Sequence, residues 1–208
     1  MIAVIDYGAG NLRSVEKAFG FLGCDTKVVT DAQELLSADG AVLPGVGAFG
    51  DSMDCLERSG LVGAIREFIG SGRPFLGICL GLQLLFEESE ESLGRPGLGI
   101  LKGKIRRIPA GDGLKIPHMG WNSLELRQSG GLYRDLPEHP YVYFVHSYYL
   151  HAEDPAIVSA QTQYGVTIDA AVRSGNLHAV QFHPEKSGRT GLKMLENFAA
   201  MVKDPSRV

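Results

Sequence analysis

The sequence predicts an α/β fold, an open and mostly parallel sheet flanked by helices, with an antiparallel β extension toward the C-terminus. Three observations carry this. In the first third, short β-favouring runs alternate with segments of helical periodicity, the βαβαβ signature of a parallel sheet with helices on both faces. From Gly94-Arg95-Pro96-Gly97 onward the pattern changes to short β-rich segments. Helical signal then returns only at the end. No internal repeat or low-complexity linker interrupts the chain, so residues 1–208 read as one domain.

Ile2-Ala3-Val4-Ile5 is continuously apolar, as a strand buried on both faces must be, and ends in the turn-rich Asp6-Tyr7-Gly8-Ala9-Gly10-Asn11. Leu12, Val15, Phe19 and Leu22 recur at helical spacing, and Gly23 supplies a C-terminal stop. The Gly8-Ala9-Gly10 loop lacks the third glycine of a dinucleotide fingerprint, which argues against nucleotide binding. Thr26–Val29 is a second strand, Asp31 caps a short helix through Leu36, and Gly40–Leu43 is a third strand.

That third strand runs into Pro44-Gly45-Val46-Gly47-Ala48-Phe49-Gly50. Alternating glycines at the carboxyl end of a strand let backbone approach a ligand closely, and ligands of such sheets sit at the carboxyl ends. The stretch also fits an ordinary turn. Asp51–Arg58 and Leu61–Ile69 read as helices, followed by the strand Phe75–Ile78. Beyond Gly94–Gly97 the expected strands are Gly103–Ile108, Trp121–Leu126, Tyr141–Tyr149, Ile157–Gln163, Thr167–Val172 and Leu177–Phe182. Leu192, Leu195, Phe198, Ala199 and Val202 form the apolar stripe of a final helix.

Gly77-Ile78-Cys79-Leu80-Gly81, between that strand and the helical pattern Leu80–Phe86, reads as a nucleophile elbow. A strand that reverses into a helix within two residues strains the central one and needs small neighbours where the backbones pass. A thiol there points outward at a helix N-terminus, where the dipole favours the thiolate. The five residues alone also fit a structural cysteine in a strand-to-helix turn. Gln181-Phe182-His183-Pro184-Glu185 shifts the balance, because a cysteine nucleophile needs a base and a third group that orients the base. In an extended chain His183 and Glu185 share one face, and Pro184 biases His183 to that conformation. Backbone N–H groups of the Pro44–Gly50 loop, with the amide of Leu80, can then form an oxyanion hole. Gln83, one helical turn past Cys79, can donate an amide to substrate. The acidic run Glu87–Ser92 reads as a solvated helix end, with one carboxylate available to grip an α-ammonium group.

The bulk numbers limit the alternatives. With 44% hydrophobic and 21% charged residues and a formal charge of −4, the chain has a globular composition and no electrostatic footprint for nucleic acid. No apolar stretch approaches the ~20 residues of a bilayer span, and the start reads as a core strand, so the expected location is cytoplasmic. Cys24, Cys55 and Cys79 are odd in number and lack metal-ligand spacing, which argues against disulfides and structural zinc. Cys24 and Cys55 read as small core or near-surface residues. His118 and His146 fit structural positions better than ligands, and the tyrosines of Tyr141–Tyr149 fit a half-buried strand.

Taken together these residues resemble the class I (triad) glutamine amidotransferases. General marks of that family are Gly77–Gly81 with Gln83, and His183-Pro184-Glu185. More specific marks are those of its branch in histidine biosynthesis: Asp6–Leu12, Pro44-Gly45-Val46-Gly47 with Phe49-Gly50, Pro117-His118-Met119-Gly120-Trp121-Asn122, and Phe144-Val145-His146-Ser147-Tyr148. The resemblance implies glutamine hydrolysis by Cys79, His183 and Glu185, with an oxyanion hole at Val46, Gly47 and Leu80. It implies Gly47, Gln83, Glu91, Ser147 and Tyr148 as glutamine contacts, and no metal or organic cofactor. It further implies a partner, a (β/α)₈-barrel synthase subunit that receives the ammonia, with Tyr7, Asn11, Met119, Trp121, Asn122 and Tyr143 at the interface. Since free ammonia in neutral water is mostly ammonium, such transfer must bypass solvent. A peptide flip at Gly45-Val46 is the expected device for keeping the glutaminase weak without its partner. Rival readings are a sibling amidotransferase subunit with another synthase, a free-standing cysteine hydrolase, and a flavodoxin-like module with an oxidisable Cys79.

Overall fold

The computed structural model describes residues 1–111, 113–204 and 206. Its parallel half is β1 (Ile2–Ile5), α1 (Leu12–Phe21), β2 (Thr26–Val29), α2 (Ala32–Ser37), β3 (Gly40–Gly45), α3 (Phe49–Arg58), α4 (Val62–Gly70), β4 (Phe75–Cys79) and α5 (Leu80–Gln83). The remainder is β5 (Glu88–Ser89), β6 (Gly103–Arg107), β7 (His118–Ser123), β8 (Glu125–Leu126), β9 (Tyr141–His146), β10 (Tyr148–Ala152), β11 (Val158–Tyr164), β12 (Val166–Ser174), β13 (Leu177–Val180) and α6 (Gly188–Lys203). The main sheet has eight strands in the order β2-β1-β3-β4-β13-β12-β11-β8. β2, β1, β3, β4 and β13 pair in parallel; β12, β11 and β8 continue antiparallel. The expected mostly parallel sheet with an antiparallel extension is what forms.

Side chains of the sheet alternate between two apolar layers, as period-2 geometry requires. Ala3 and Ile5 face one layer with Leu43, Phe68 and Phe75, while Ile2 and Val4 face the other with Phe19, Val180 and Phe198. Two smaller sheets, β10-β6-β5 and β7-β9, lie outside the main one.

Several boundaries depart from expectation, each for a tertiary reason. β3 runs two residues past Leu43, because Pro44 and Gly45 remain in register with Ile78 and Cys79. The helix expected over Leu80–Phe86 is one turn only. The carbonyls of Leu84, Leu85, Phe86 and Glu87 accept instead from the N–H groups of Leu98, Ile100, Gly99 and Gly97. The acidic run is accordingly no helix end, since Glu88–Ser89 pair with Lys104–Ile105 as a strand. The strand expected from Trp121 begins three residues earlier, with His118 to Ser123 paired to His146 to Tyr141. Tyr141–Tyr149 is two strands in different sheets, broken at Ser147.

Candidate active site

The carboxyl ends of three adjacent parallel strands meet at one point. Gly45 closes β3 opposite Cys79 at the end of β4, and Val180 of β13 pairs with Ile78 on the other side. That register alone sets Cys79 between the Val46-Gly47 loop and the Gln181–Glu185 segment. The elbow is present: Cys79 has φ 55 and ψ −110, a strained conformation for a residue with a Cβ. Its glycines are required by space. A Cβ at Gly81 would collide with the Leu43 carbonyl oxygen, and one at Gly77 would lie 2.9 Å from the Gly81 carbonyl oxygen. Since α5 is a single turn, the dipole expected of a longer helix is not there to act on the sulfur.

His183 and Glu185 come together by a different route from the one expected. His183 is extended, but Pro184–Lys186 form a 3₁₀ turn that folds Glu185 back beneath the ring. His183 Nδ1 donates to Glu185 Oε1 at 2.7 Å, and both side chains are almost wholly buried. With Nδ1 engaged, Nε2 is left to hold the Cys79 proton. Burial works against the imidazolium, but hydrogen bonds and charge from Cys79 and Glu185 prevail, and the His183 pKa is pushed up to about 9. His183 is also fixed through its backbone. His183 N–H donates to the Tyr143 carbonyl at 3.0 Å, and the Ser187 hydroxyl donates to the His183 carbonyl at 2.7 Å while accepting from Tyr143 N–H at 2.9 Å.

Cys79 and His183 open onto a cavity of about 360 Å³, enough for an amino acid, whose walls include Val46, Gly47, Leu80, Gln83, Glu91, Ser147 and Tyr148. All the expected substrate and oxyanion residues therefore share one pocket. Two details differ. The Gln83 amide nitrogen uses both hydrogens inside the protein, donating to the Tyr148 carbonyl at 3.2 Å and to Gln181 Oε1 at 2.9 Å. It presents an amide oxygen, an acceptor rather than the expected donor. Gly45 is held in β3 opposite Cys79, and only glycine fits there, since a Cβ would lie 2.8 Å from both Leu80 Cβ and the Tyr7 hydroxyl. Backbone freedom lies at Gly47, with φ +100 and open space around it. Glu91 is oriented by the N–H of Phe49, which donates to Oε2 at 2.8 Å.

Of the expected interface residues, Met119 is 62% and Trp121 56% exposed. Trp121 sits opposite Tyr143 in the β7–β9 register, their rings edge to face at 6.1 Å. Asn11, Asn122 and Tyr143 are half-buried. Tyr7 is the exception, buried beneath Gly45, and cannot offer its ring to a partner.

Sequence reasoning passed over three residues here: Gln181, Ser187 and His146 as a pocket wall. Ser187 and Gln181 flank the His183–Glu185 motif by two residues on either side, which was the available signal. His146 Nδ1 donates to the Tyr148 carbonyl at 2.8 Å, so its Nε2 must accept, and His118 Nδ1 donates to it at 2.9 Å. Asn122 Nδ2 donates in turn to His118 Nε2 at 3.4 Å. Burial holds both histidines neutral, His146 lowered to about 3 and His118 to about 4. Among the described residues, no group of three or more His, Cys, Asp or Glu is arranged to hold a metal, and no helix is long and apolar enough to cross a membrane.

Fold and site together define an α/β protein with a cysteine, an imidazole and a carboxylate grouped in the arrangement that acyl transfer through a cysteine requires. The family description "Glutamine amidotransferase class-I" matches residues 3–202, and the chain belongs to that family. It is 53% identical over 205 residues to the imidazole glycerol phosphate synthase subunit HisH of Thermosynechococcus vestitus, covering 98% of each chain. With the protein of that name from Moorella thermoacetica it shares 50% over 202 residues, 97% of this chain and 95% of the other. In fold it is similar to a chain of PurLQS from Thermotoga maritima, with a TM-score of 0.74 at 21% identity, covering 96% of this chain and 97% of that one.

Proposed function

We propose that this chain is a single-domain cytoplasmic glutaminase subunit of an imidazole glycerol phosphate synthase. The observation that carries the reading is the convergence of Cys79 and His183 on an amino-acid-sized cavity at the sheet's carboxyl edge, with Glu185 bonded behind the imidazole. The full-length similarity to subunits of that synthase supports the choice of pathway.

Cys79 attacks the side-chain amide carbon of glutamine, and the oxyanion that forms is held by backbone N–H groups of Val46, Gly47 and Leu80. His183, carrying the thiol proton on Nε2, gives it to the leaving nitrogen, and ammonia departs as the γ-glutamyl thioester forms. Water then adds to the thioester carbon with His183 as base. The C–S bond breaks with its electron pair on sulfur, and glutamate is released. Glu185 keeps the imidazole in the correct tautomer throughout. Gly47, Gln83, Glu91, Ser147 and Tyr148 grip the glutamine, Glu91 taking its α-ammonium group.

The ammonia passes to a (β/α)₈-barrel synthase subunit, which forms imidazole glycerol phosphate and an aminoimidazole carboxamide ribotide. The docking face includes Asn11 and the exposed side of β7 and β9 at Met119, Trp121 and Tyr143, whereas Asn122 alternates to the opposite face, where its side chain bonds to His118 and the Gln163 carbonyl. Through its bonds to His183 and Ser187, Tyr143 joins this face to the base. Trp121→Ala is expected to weaken the partner's Kd by ~30-fold, as loss of an aromatic anchor does, measured by titration calorimetry.

The test is glutamate release from glutamine by the chain alone and with the barrel subunit and its ribotide ligand, with Cys79→Ala as blank. Release that is near background alone and rises with the liganded partner supports the reading. Full activity alone, indifferent to the partner, would leave the triad in place and favour a free-standing hydrolase.

A further inference from the structure

The buried amide of Gln181 stands outside the triad, yet it lies against the sulfur. Its side chain is wholly buried just beyond β13, and Nε2 donates to Cys79 Sγ at 3.7 Å. The amide has only one orientation open to it. The Tyr148 backbone carbonyl can only accept, so the Gln83 amide that meets it must present nitrogen. The same nitrogen donates to Gln181, which must therefore present its oxygen to Gln83. The Gln181 nitrogen is what remains, and it faces the sulfur. Its backbone is fixed too, Gln181 N–H donating to the Ala170 carbonyl at 2.8 Å.

We propose that Gln181 is a catalytic residue of this site, its amide N–H donating to the Cys79 thiolate, with Gln83 as the positioning residue that holds the amide in place. The proposal rests on Cys79 being the nucleophile. Cys79 is 8% exposed, so water contributes little to holding a negative sulfur, and an anion in such a place needs fixed donors. His183 is one, but it must give its proton to the leaving ammonia. A carboxamide is too weak an acid to give up its N–H protons near neutral pH, so Gln181 stays a donor through both half-reactions. In thioester hydrolysis it meets the sulfur as the C–S electron pair returns there, and a better-stabilised thiolate leaves faster.

The experiment is the pH dependence of iodoacetamide alkylation of the full chain, followed by mass spectrometry at the Cys79 peptide, since Cys24 and Cys55 are also partly accessible. Gln181→Met keeps the volume and removes the donor. Its midpoint is expected about one pH unit above that of the unsubstituted chain, ~10-fold less thiolate at any pH below it. Its high-pH plateau should be equal or up to ~3-fold higher, because a more basic thiolate is the better nucleophile. Gln83→Met should move the midpoint the same way by less. An unmoved midpoint with a lowered plateau would mean that Gln181 only fills space, and would overturn the proposal. If Gln181→Met does not fold, the Gln83→Met midpoint decides: raised supports, unmoved overturns. Failure of the underlying reading looks different, since the unsubstituted chain would then lack glutamate release that Cys79→Ala abolishes.

Discussion

Two buried imidazoles wall the same pocket and are driven to different charge states, one cationic and one neutral. His183 faces a thiol and a carboxylate, and its pKa is pushed up to about 9; His146 faces a carbonyl and a second neutral imidazole, and burial takes it down to about 3. Both rings are hidden from solvent, so burial cannot be what separates them. The difference lies in the partners: desolvation lowers both rings and is outweighed only at His183, by Cys79 and Glu185, while at His146 the neighbouring His118 and His183 lower it further. A histidine becomes a base in this pocket by its neighbours, while the same residue type without anions becomes a fixed, one-way hydrogen-bond linker running from Asn122 to the Tyr148 carbonyl.

The largest break in that contrast comes from Glu185→Gln. It removes the carboxylate and permits the wrong tautomer, so kcat/KM should fall by ~10³–10⁴, read as glutamate release with the liganded partner. The pH profile should change with it. In the unsubstituted protein activity should fall as pH rises through about 9, where His183 is expected to give up its proton. Loss of the carboxylate lowers that pKa, so the alkaline limb should move to lower pH. A limb that stays in place would mean that Glu185 does not set the charge of His183.

Next is the neutral pair. His118→Phe keeps the ring stack on Tyr164, whose centroid lies 3.8 Å away, but withdraws the donor that His146 Nε2 needs. Stability at pH 7 should fall by about 1–3 kcal/mol, measured by urea unfolding. The acid response is the sharper readout. Both histidines have folded pKa values below their ordinary 6.5, so above that pH they are neutral in either state and contribute no pH dependence. Below it the unfolded chain takes up protons that the folded chain refuses, so stability falls as pH drops from 6.5 toward about 4. With one of the two groups gone, the variant should lose less stability per pH unit across that window.

The smallest effect expected is that of Asn122→Ala, which removes the outermost donor of the chain at 3.4 Å from His118 and a bond to the Gln163 carbonyl at 3.0 Å. It should cost about 1 kcal/mol, again by urea unfolding. A cost as large as that of His118→Phe would show that the linker acts as one unit.

Much of this was legible in the sequence. Cys79, His183 and Glu185 are chemistry-bearing types in local motifs, and local spacing carries over into space. The β3, β4 and β13 ends converge because parallel strands gather their carboxyl termini on one edge. What stayed hidden was set by distant chain. The helix after Cys79 stops short because residues 97–101 take its carbonyls, and no local pattern encodes that. Gln83 turns its nitrogen away from substrate because a carbonyl at Tyr148 meets it. Tyr7 sits in a glycine-rich loop that looks exposed but folds under β3. The break at Ser147 is likewise invisible in a run of alternating aromatics, because the two halves find partners in different sheets.

The most direct test is a titration of imidazole-¹⁵N-labelled protein, its histidine signals assigned by single substitutions. His183 should take up its proton near 9, and His146 and His118 should stay neutral across pH 5 to 9. His183 titrating at or below 6.5, or His146 becoming charged within that range, would contradict the account that their partners separate the two rings.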